Sequence, residues 1–247
     1  MRGKKTSCSD FTIFSFNACT SFSIVNNTIL MKLHFDTVSP LLQDVLQFLM
    51  ARPELEHFRL VGGTSLSLQL GHRRSTDIDL FTDAAYGSID FDAIDRLLKN
   101  NFAYFQESSV STVALGRPYF VGKSELEAVK LDIYCTDKFL FDPIFINNIR
   151  LADPRDIVAM KLETMVQVSR KKDFWDLHEL LEHFTLSDMV SFYKTRNPFG
   201  CSEDEIFNAI LNISSADDDL TPICTKSKFW ELIKFDMIEA VELLGPR

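Results

Sequence analysis

The sequence predicts an α+β fold: a mixed β-sheet with flanking helices over residues 31–150, followed by a helical part over residues 151–247. Three observations predict it. Residues 77–81 alternate polar and apolar side chains, the period of a strand with one buried face. Val61 runs into Gly62-Gly63 and then into a stretch free of breakers, as at a tight turn from strand to helix. After Asp153-Pro154 the apolar residues fall at helical spacing.

The elements follow in order. Ser39-Pro40 reads as an N-cap followed by proline at the first helical position, and Leu41, Leu42, Val45, Leu46 and Leu49 carry that helix to about Ala51. Residues 58–61 read as a short strand, 64–70 as a helix and 77–81 as a strand. Residues 92–100 form a helix with Ile94, Leu97 and Leu98 inward. A β-rich stretch follows from 102 to 134, with turn signals at Gly116-Arg117-Pro118 and Gly122-Lys123 and its clearest strand at 128–134. Phe145–Arg150 reads as one further strand. Helices are then expected near 154–169, 172–184, 187–196, 202–213 and 227–243. Residues 1–30 begin with the basic stretch Met1–Lys5, but Asp10, Asn17, Asn26 and Asn27 interrupt the apolar run that a secretory signal needs. They read as a leader or extension ahead of a working start at Met31.

Composition narrows the function. The 26 Lys and Arg against 35 Asp and Glu leave a net charge of −9, which excludes coating of nucleic acid by bulk positive charge but leaves room for a local basic patch. The five cysteines, Cys8, Cys19, Cys135, Cys201 and Cys224, form no CxxC pair, which argues against a disulfide scaffold or a structural zinc site. With no apolar run near the roughly 20 residues of a membrane span, the expectation is a cytoplasmic protein with no membrane partner.

The chemistry concentrates between residues 61 and 81. Behind the Gly62-Gly63 turn, Thr64 and Ser65 stand at a helix N-terminus, where free amides, the helix dipole and two hydroxyls suit a phosphate. Asp77 and Asp79 sit two residues apart on a strand, so both project from one face, about 7 Å apart along it. Asp132, between Leu131 and Ile133, projects opposite to its apolar neighbours. If the two strands adjoin, the three carboxylates form a triad that Mg2+ or Mn2+ would neutralise, with Asp132 as general base.

Gly62 through Asp79 resembles the signature of the DNA polymerase β-like nucleotidyltransferase superfamily. The longer string, Gly62-Gly63-Thr64-Ser65-Leu66 and then Gly71-His72-Arg73-Arg74-Ser75-Thr76-Asp77-Ile78-Asp79, is similar to the AbiEii/AbiGii-type toxin family. Lys161 on a later helix, and the segment Lys172-Asp173-Phe174-Trp175-Asp176-Leu177, extend the resemblance over roughly residues 35–185. It implies a nucleotidyltransferase-type sheet with metal ligands Asp77, Asp79 and Asp132. It also implies catalytic roles for these three, Lys161 and Asp173, and nucleotide contacts from Gly62, Gly63, Thr64, Ser65, Arg73, Ser75, Lys161 and Asp176.

The residues themselves leave alternatives. Lys161 lies beside the stripe of Ile157, Met160 and Met165, so it either snorkels or reaches into a cleft. Asp173 lies on the apolar line of Leu177, Leu180, Leu181 and Phe184, and either caps its helix or pairs with Lys161 or a nucleotide. Asp176 could pair with Lys161, Lys171 or Lys172. His72-Arg73-Arg74 is either a solvated loop or a basic wall of the site, and Arg170-Lys171-Lys172 would extend that wall. The expected function is metal-dependent transfer of a nucleoside monophosphate from an NTP to an acceptor hydroxyl. By the resemblance, the acceptor is the 3′ end of tRNA or another RNA, and the protein is a bacterial toxin restrained by an antitoxin protein or transcriptional regulator. Nucleotidylation of a protein or small molecule, and a non-catalytic interaction protein retaining the fold, are the alternatives.

Overall fold

The computed structural model describes residues 32–107 and 115–244. The leader reading of residues 1–30, Cys8, Cys19 and the part of the β-rich stretch at 108–114 lie outside the described residues. Among the described residues are seven strands and eight α-helices in one compact unit. The fold class expected from the sequence is the one observed. In chain order the elements are α1 (Pro40–Met50), β1 (Arg59–Leu60), α2 (Gly62–Leu70), β2 (Asp77–Thr82), α3 (Phe91–Asn101), β3 (Tyr104–Glu107), β4 (Gly116–Ser124), β5 (Glu127–Cys135), β6 (Ile144–Ile146), β7 (Ile149–Leu151), α4 (Pro154–Gln167), α5 (Lys171–Leu180), α6 (Leu186–Arg196), α7 (Glu203–Leu211) and α8 (Trp230–Glu242).

Helix starts follow the local chemistry. Ser39 Oγ accepts from Leu42 N at 3.1 Å, and Asp153 Oδ1 accepts from Arg155 N at 2.9 Å, each just ahead of a proline that cannot donate. Thr185 with Asp188, and Ser202 with Glu205, close reciprocal capping boxes at α6 and α7.

The sheet runs in the order β3-β4-β5-β2-β1-β7-β6. β2 and β5 are parallel neighbours at its centre, and β1 pairs antiparallel with β2 and parallel with β7. The strand expected at 145–150 is instead two strands joined by Asn147-Asn148, both with positive φ (51° and 62°). Asparagine tolerates that conformation, and two such residues in succession make the tight hairpin turn that matches strand twist.

Alternation gives the sheet two unlike faces. Ile78 and Leu80 of β2 and Val129, Leu131 and Ile133 of β5 are buried together with Leu42, Val45, Leu46 and Leu49 of α1 and Ile94 and Leu98 of α3. Each such side chain contributes about 1.5–3 kcal/mol of burial. A second apolar cluster gathers α4 to α8 around Ile157, Val158, Leu162, Phe174, Trp175 and Leu177. A buried carboxylate, Asp156, and a half-buried guanidinium, Arg150, tie the elements together. Asp156 accepts from Leu140 N (2.8 Å) and Phe141 N (3.2 Å), while Arg150 donates to the carbonyls of Phe58, Met50 and Leu55 at 2.8–2.9 Å. Among the described residues no helix is long and apolar enough to cross a membrane.

Candidate active site

The second face of β2 and β5 carries the charged residues. Asp77 and Asp79 point away from buried Ile78 and Leu80, as the alternation requires. Asp132 is the direct register partner of Asp79, and Lys130 that of Asp77. Neighbouring strands lie about 4.8 Å apart, so three carboxylates and one ammonium occupy four adjoining positions on one face. They line a cavity of about 240 Å3 together with Gly62, Gly63, Arg73, Ser75, Lys161, Arg170, Lys172 and Asp173.

Two glycines make the close approach possible. Gly62 has φ +68°, and a Cβ there would collide with Asp79 Oδ2. A Cβ on Gly63 would collide with the Arg73 guanidinium. The helix begins at Gly62 itself, two residues earlier than expected. That shift turns the next two hydroxyls inward. Thr64 Oγ1 donates to Asp77 O and lies 2.8 Å from Ser75 Oγ, while Ser65 Oγ accepts from Gln69 Nε2 at 3.0 Å. Both residues are buried, and neither lines the cavity. The Thr64 hydroxyl ties α2 to β2, and the Ser65 hydroxyl is held within α2.

The opposite wall is a buried knot of charge. Asp176 is fully buried, accepting from His72 Nε2 (2.7 Å), Arg73 Nε (2.6 Å) and Arg73 Nη2 (2.8 Å), and it forms an ion pair with Lys161 Nζ at 2.5 Å. Burial alone would raise its pKa, but Arg73, Lys161 and the His72 hydrogen bond hold it well below the usual carboxylate range. Lys161 also donates to Asp173 Oδ1 at 2.6 Å. Burial opposes its charge, yet Asp176 and Asp173 raise its pKa above the ordinary value. Asp176 does not line the cavity. Its oxygens are taken up by His72, Arg73 and Lys161, and the last two face the cavity. Lys161 does not snorkel, and Asp173 keeps its Oδ2 buried and unbonded.

Of the basic cluster at 170–172, Arg170 and Lys172 line the cavity, whereas Lys171 turns away to donate to the carbonyls of Asp217 and Asp219 at 2.8 Å. Sequence reasoning missed Lys130, although its spacing from Asp132 places both on one face of a strand. It also missed the extended segment 221–226, which hooks the loop that carries Arg73. Arg74 N donates to Ile223 O (2.8 Å), Thr225 N donates to His72 O (3.1 Å), and Arg73 bridges Cys224.

On the acidic face the carboxylates outnumber the cations. The Asp79 carboxyl is pushed up to about 6, by burial first and then by the charges of Asp132 and Asp77. Asp132 Oδ1 is buried without a hydrogen-bond partner. An oxygen donor set in this state fits a hard divalent cation. Among the described residues no group of three His, Cys, Asp or Glu side chains is already gathered as a metal cage. Instead Lys130 Nζ contacts Asp132 Oδ2, and Lys172 Nζ lies 3.9 Å from Asp77 Oδ2.

Residues 44–212 match the family model described as "Nucleotidyl transferase AbiEii toxin, Type IV TA system". An uncharacterised protein of Aquifex aeolicus (strain VF5) is 31% identical over 130 residues, which are 50% of this chain and 57% of that protein. The chain thus spans little more than half the length of that relative. Among solved structures, MenT4, a nucleotidyltransferase toxin of Mycobacterium tuberculosis H37Rv, is similar with a TM-score of 0.57 at 15% identity, over 82% of this chain and 81% of that one. JHP933 of Helicobacter pylori is similar with a TM-score of 0.51 at 19% identity, over 83% and 88% of the two chains. At such identities the likeness to these two structures is one of fold.

Proposed function

The chain belongs to the AbiEii nucleotidyltransferase toxin family, and on that premise we propose that it transfers a nucleoside monophosphate from an NTP to the 3′-hydroxyl of tRNA or another RNA. The observation that carries this reading is the pairing of Asp79 with Asp132 across β2 and β5, facing a wall in which Arg73 and Lys161 are held charged. Asp77, Asp79 and Asp132 would hold Mg2+ or Mn2+, which supplies neutralisation of phosphate charge. Arg73 and Lys161 bind the triphosphate and offset the charge that develops on the leaving pyrophosphate. The Gly62 and Gly63 backbone and Ser75 line the floor beneath it. Asp132 accepts the proton of the attacking hydroxyl. The acceptor oxygen then bonds to the α-phosphorus as the bond to the β-phosphate bridging oxygen breaks. Asp173, hydrogen-bonded to Lys161, also lines the chamber.

Arg170 and Lys172 at the rim favour a polyanionic acceptor despite the net charge of −9. Unchecked modification of RNA ends would halt growth. The reading therefore includes a cytoplasmic site of action and a cognate antitoxin protein or transcriptional regulator as partner. Incubation with labelled NTPs, Mg2+ and total RNA tests it. Label is expected on RNA and is expected to vanish with Asp79→Ala. Label on protein or small molecules alone would replace the acceptor, and no label on any species would overturn the reading.

A further inference from the structure

The four adjoining positions on β2 and β5 hold three carboxylates and Lys130, and the lysine is the one that sequence motifs do not explain. Lys130 faces Asp77 across the strand pair and lies two residues before Asp132 on the same face. Its Nζ contacts Asp132 Oδ2, while Asp132 Oδ1 stays buried with no hydrogen-bond partner. The side chains are 41% and 19% exposed, so the lysine is reached from the cavity and the aspartate is sheltered beneath it. A pair this exposed is weak and readily exchanged. Lys172 is looser, 42% exposed and 3.9 Å from Asp77, and belongs to the rim.

We propose that Lys130 is a tethered counter-cation that competes with the divalent ion for Asp132 and passes to the phosphates of the nucleotide when that ion binds. The inference rests on the metal-binding reading of Asp77, Asp79 and Asp132. A doubly charged ion among these carboxylates repels an ammonium at the neighbouring position, so the two do not share Asp132. A lysine ammonium is a donor with no acceptor capacity, and its long stem lets it swing. Once displaced, it needs an anion, and the triphosphate is the one that arrives in this cavity. The bare ion therefore binds against Lys130, and the ion with a nucleotide binds with its help. The lysine makes occupation of the metal position conditional on substrate.

Binding of Mn2+ alone to the full chain, measured by calorimetry or electron paramagnetic resonance, tests this in wild type, Lys130→Met and Lys130→Arg. Methionine keeps the stem and removes the charge. Lys130→Met is expected to bind Mn2+ roughly five- to tenfold tighter, the scale of one screened like-charge contact. Lys130→Arg is expected to stay near wild type. With a non-hydrolysable NTP analogue present, Lys130→Met is expected to lose its advantage and bind the Mn2+–nucleotide pair more weakly than wild type. Mn2+ binding no tighter in Lys130→Met than in wild type overturns the proposal. Asp132→Asn separates the two levels. If it weakens Mn2+ binding while Lys130→Met changes nothing, the lysine inference fails alone. If Mn2+ binding is indifferent to Asp132→Asn, the acidic-site reading fails and takes the inference with it. Circular dichroism on each variant confirms that the fold is retained.

Discussion

Asp176 shows how a single side chain sets the site without lying in it. Its two oxygens accept from His72 and Arg73 and form an ion pair with Lys161, and no part of it reaches solvent. Because its folded pKa is depressed below the ordinary value of 3.8, its ionisation stabilises the fold above about pH 4 and that stability is lost as pH falls through the folded pKa. Asp176→Asn leaves Arg73 and Lys161 as buried cations with too few partners, which costs roughly 3–5 kcal/mol. Urea unfolding at pH 7 should show that loss, and the gap from wild type should narrow below pH 4. Equal midpoints at pH 7 would mean that the two cations find other partners. The sequence placed Asp173 and Asp176 on one helix three residues apart, with Lys161 among the candidate partners of each. It did not reveal which would be sealed away, because that depends on His72 and Arg73, more than a hundred positions earlier in the chain.

At the scale of elements, the extended segment between α7 and α8 does what its composition does not announce. Residues 221–226 pair with the 71–74 loop through Ile223, Cys224 and Thr225. Lys226 and Lys228 then converge on Glu179, whose side chain is wholly buried. Lys171 fastens the upstream end at Asp217 and Asp219. Glu179→Gln should cost roughly 1–3 kcal/mol and should speed proteolytic cleavage within 217–228, a rate readable on a gel. Unchanged cleavage would place the restraint at Lys171 instead. Elements with a period were legible from sequence: β2 and β5 by alternation, α1 by its leucines and its cap, α4 to α8 by helical spacing. The hairpin at 144–151 was not, since both Asn147 and Asn148 must adopt positive φ before one strand becomes two. The hook was not either, because it has no period and its partner is distant. The inward turn of Thr64 and Ser65 followed from a helix that starts two residues early.

For the molecule as a whole, the sheet separates stability from chemistry. One face carries the apolar cluster with α1 and α3, and the other carries the carboxylates beneath the later helices. Neither apolar cluster includes a residue of the acidic triad. Chelation with EDTA is therefore expected to abolish nucleotide transfer while leaving the far-ultraviolet circular dichroism spectrum unchanged. Loss of the spectrum together with activity would mean that the ion also holds the fold. The order in which the two walls are encoded has a further consequence. Asp77, Asp79 and Asp132 leave the ribosome before Lys161 and Asp176, and Thr225 follows its anchor Gly71 by 154 positions. In a nascent chain Arg73 and the three acidic residues thus emerge well before Lys161 and Asp176, the groups that complete the opposite wall.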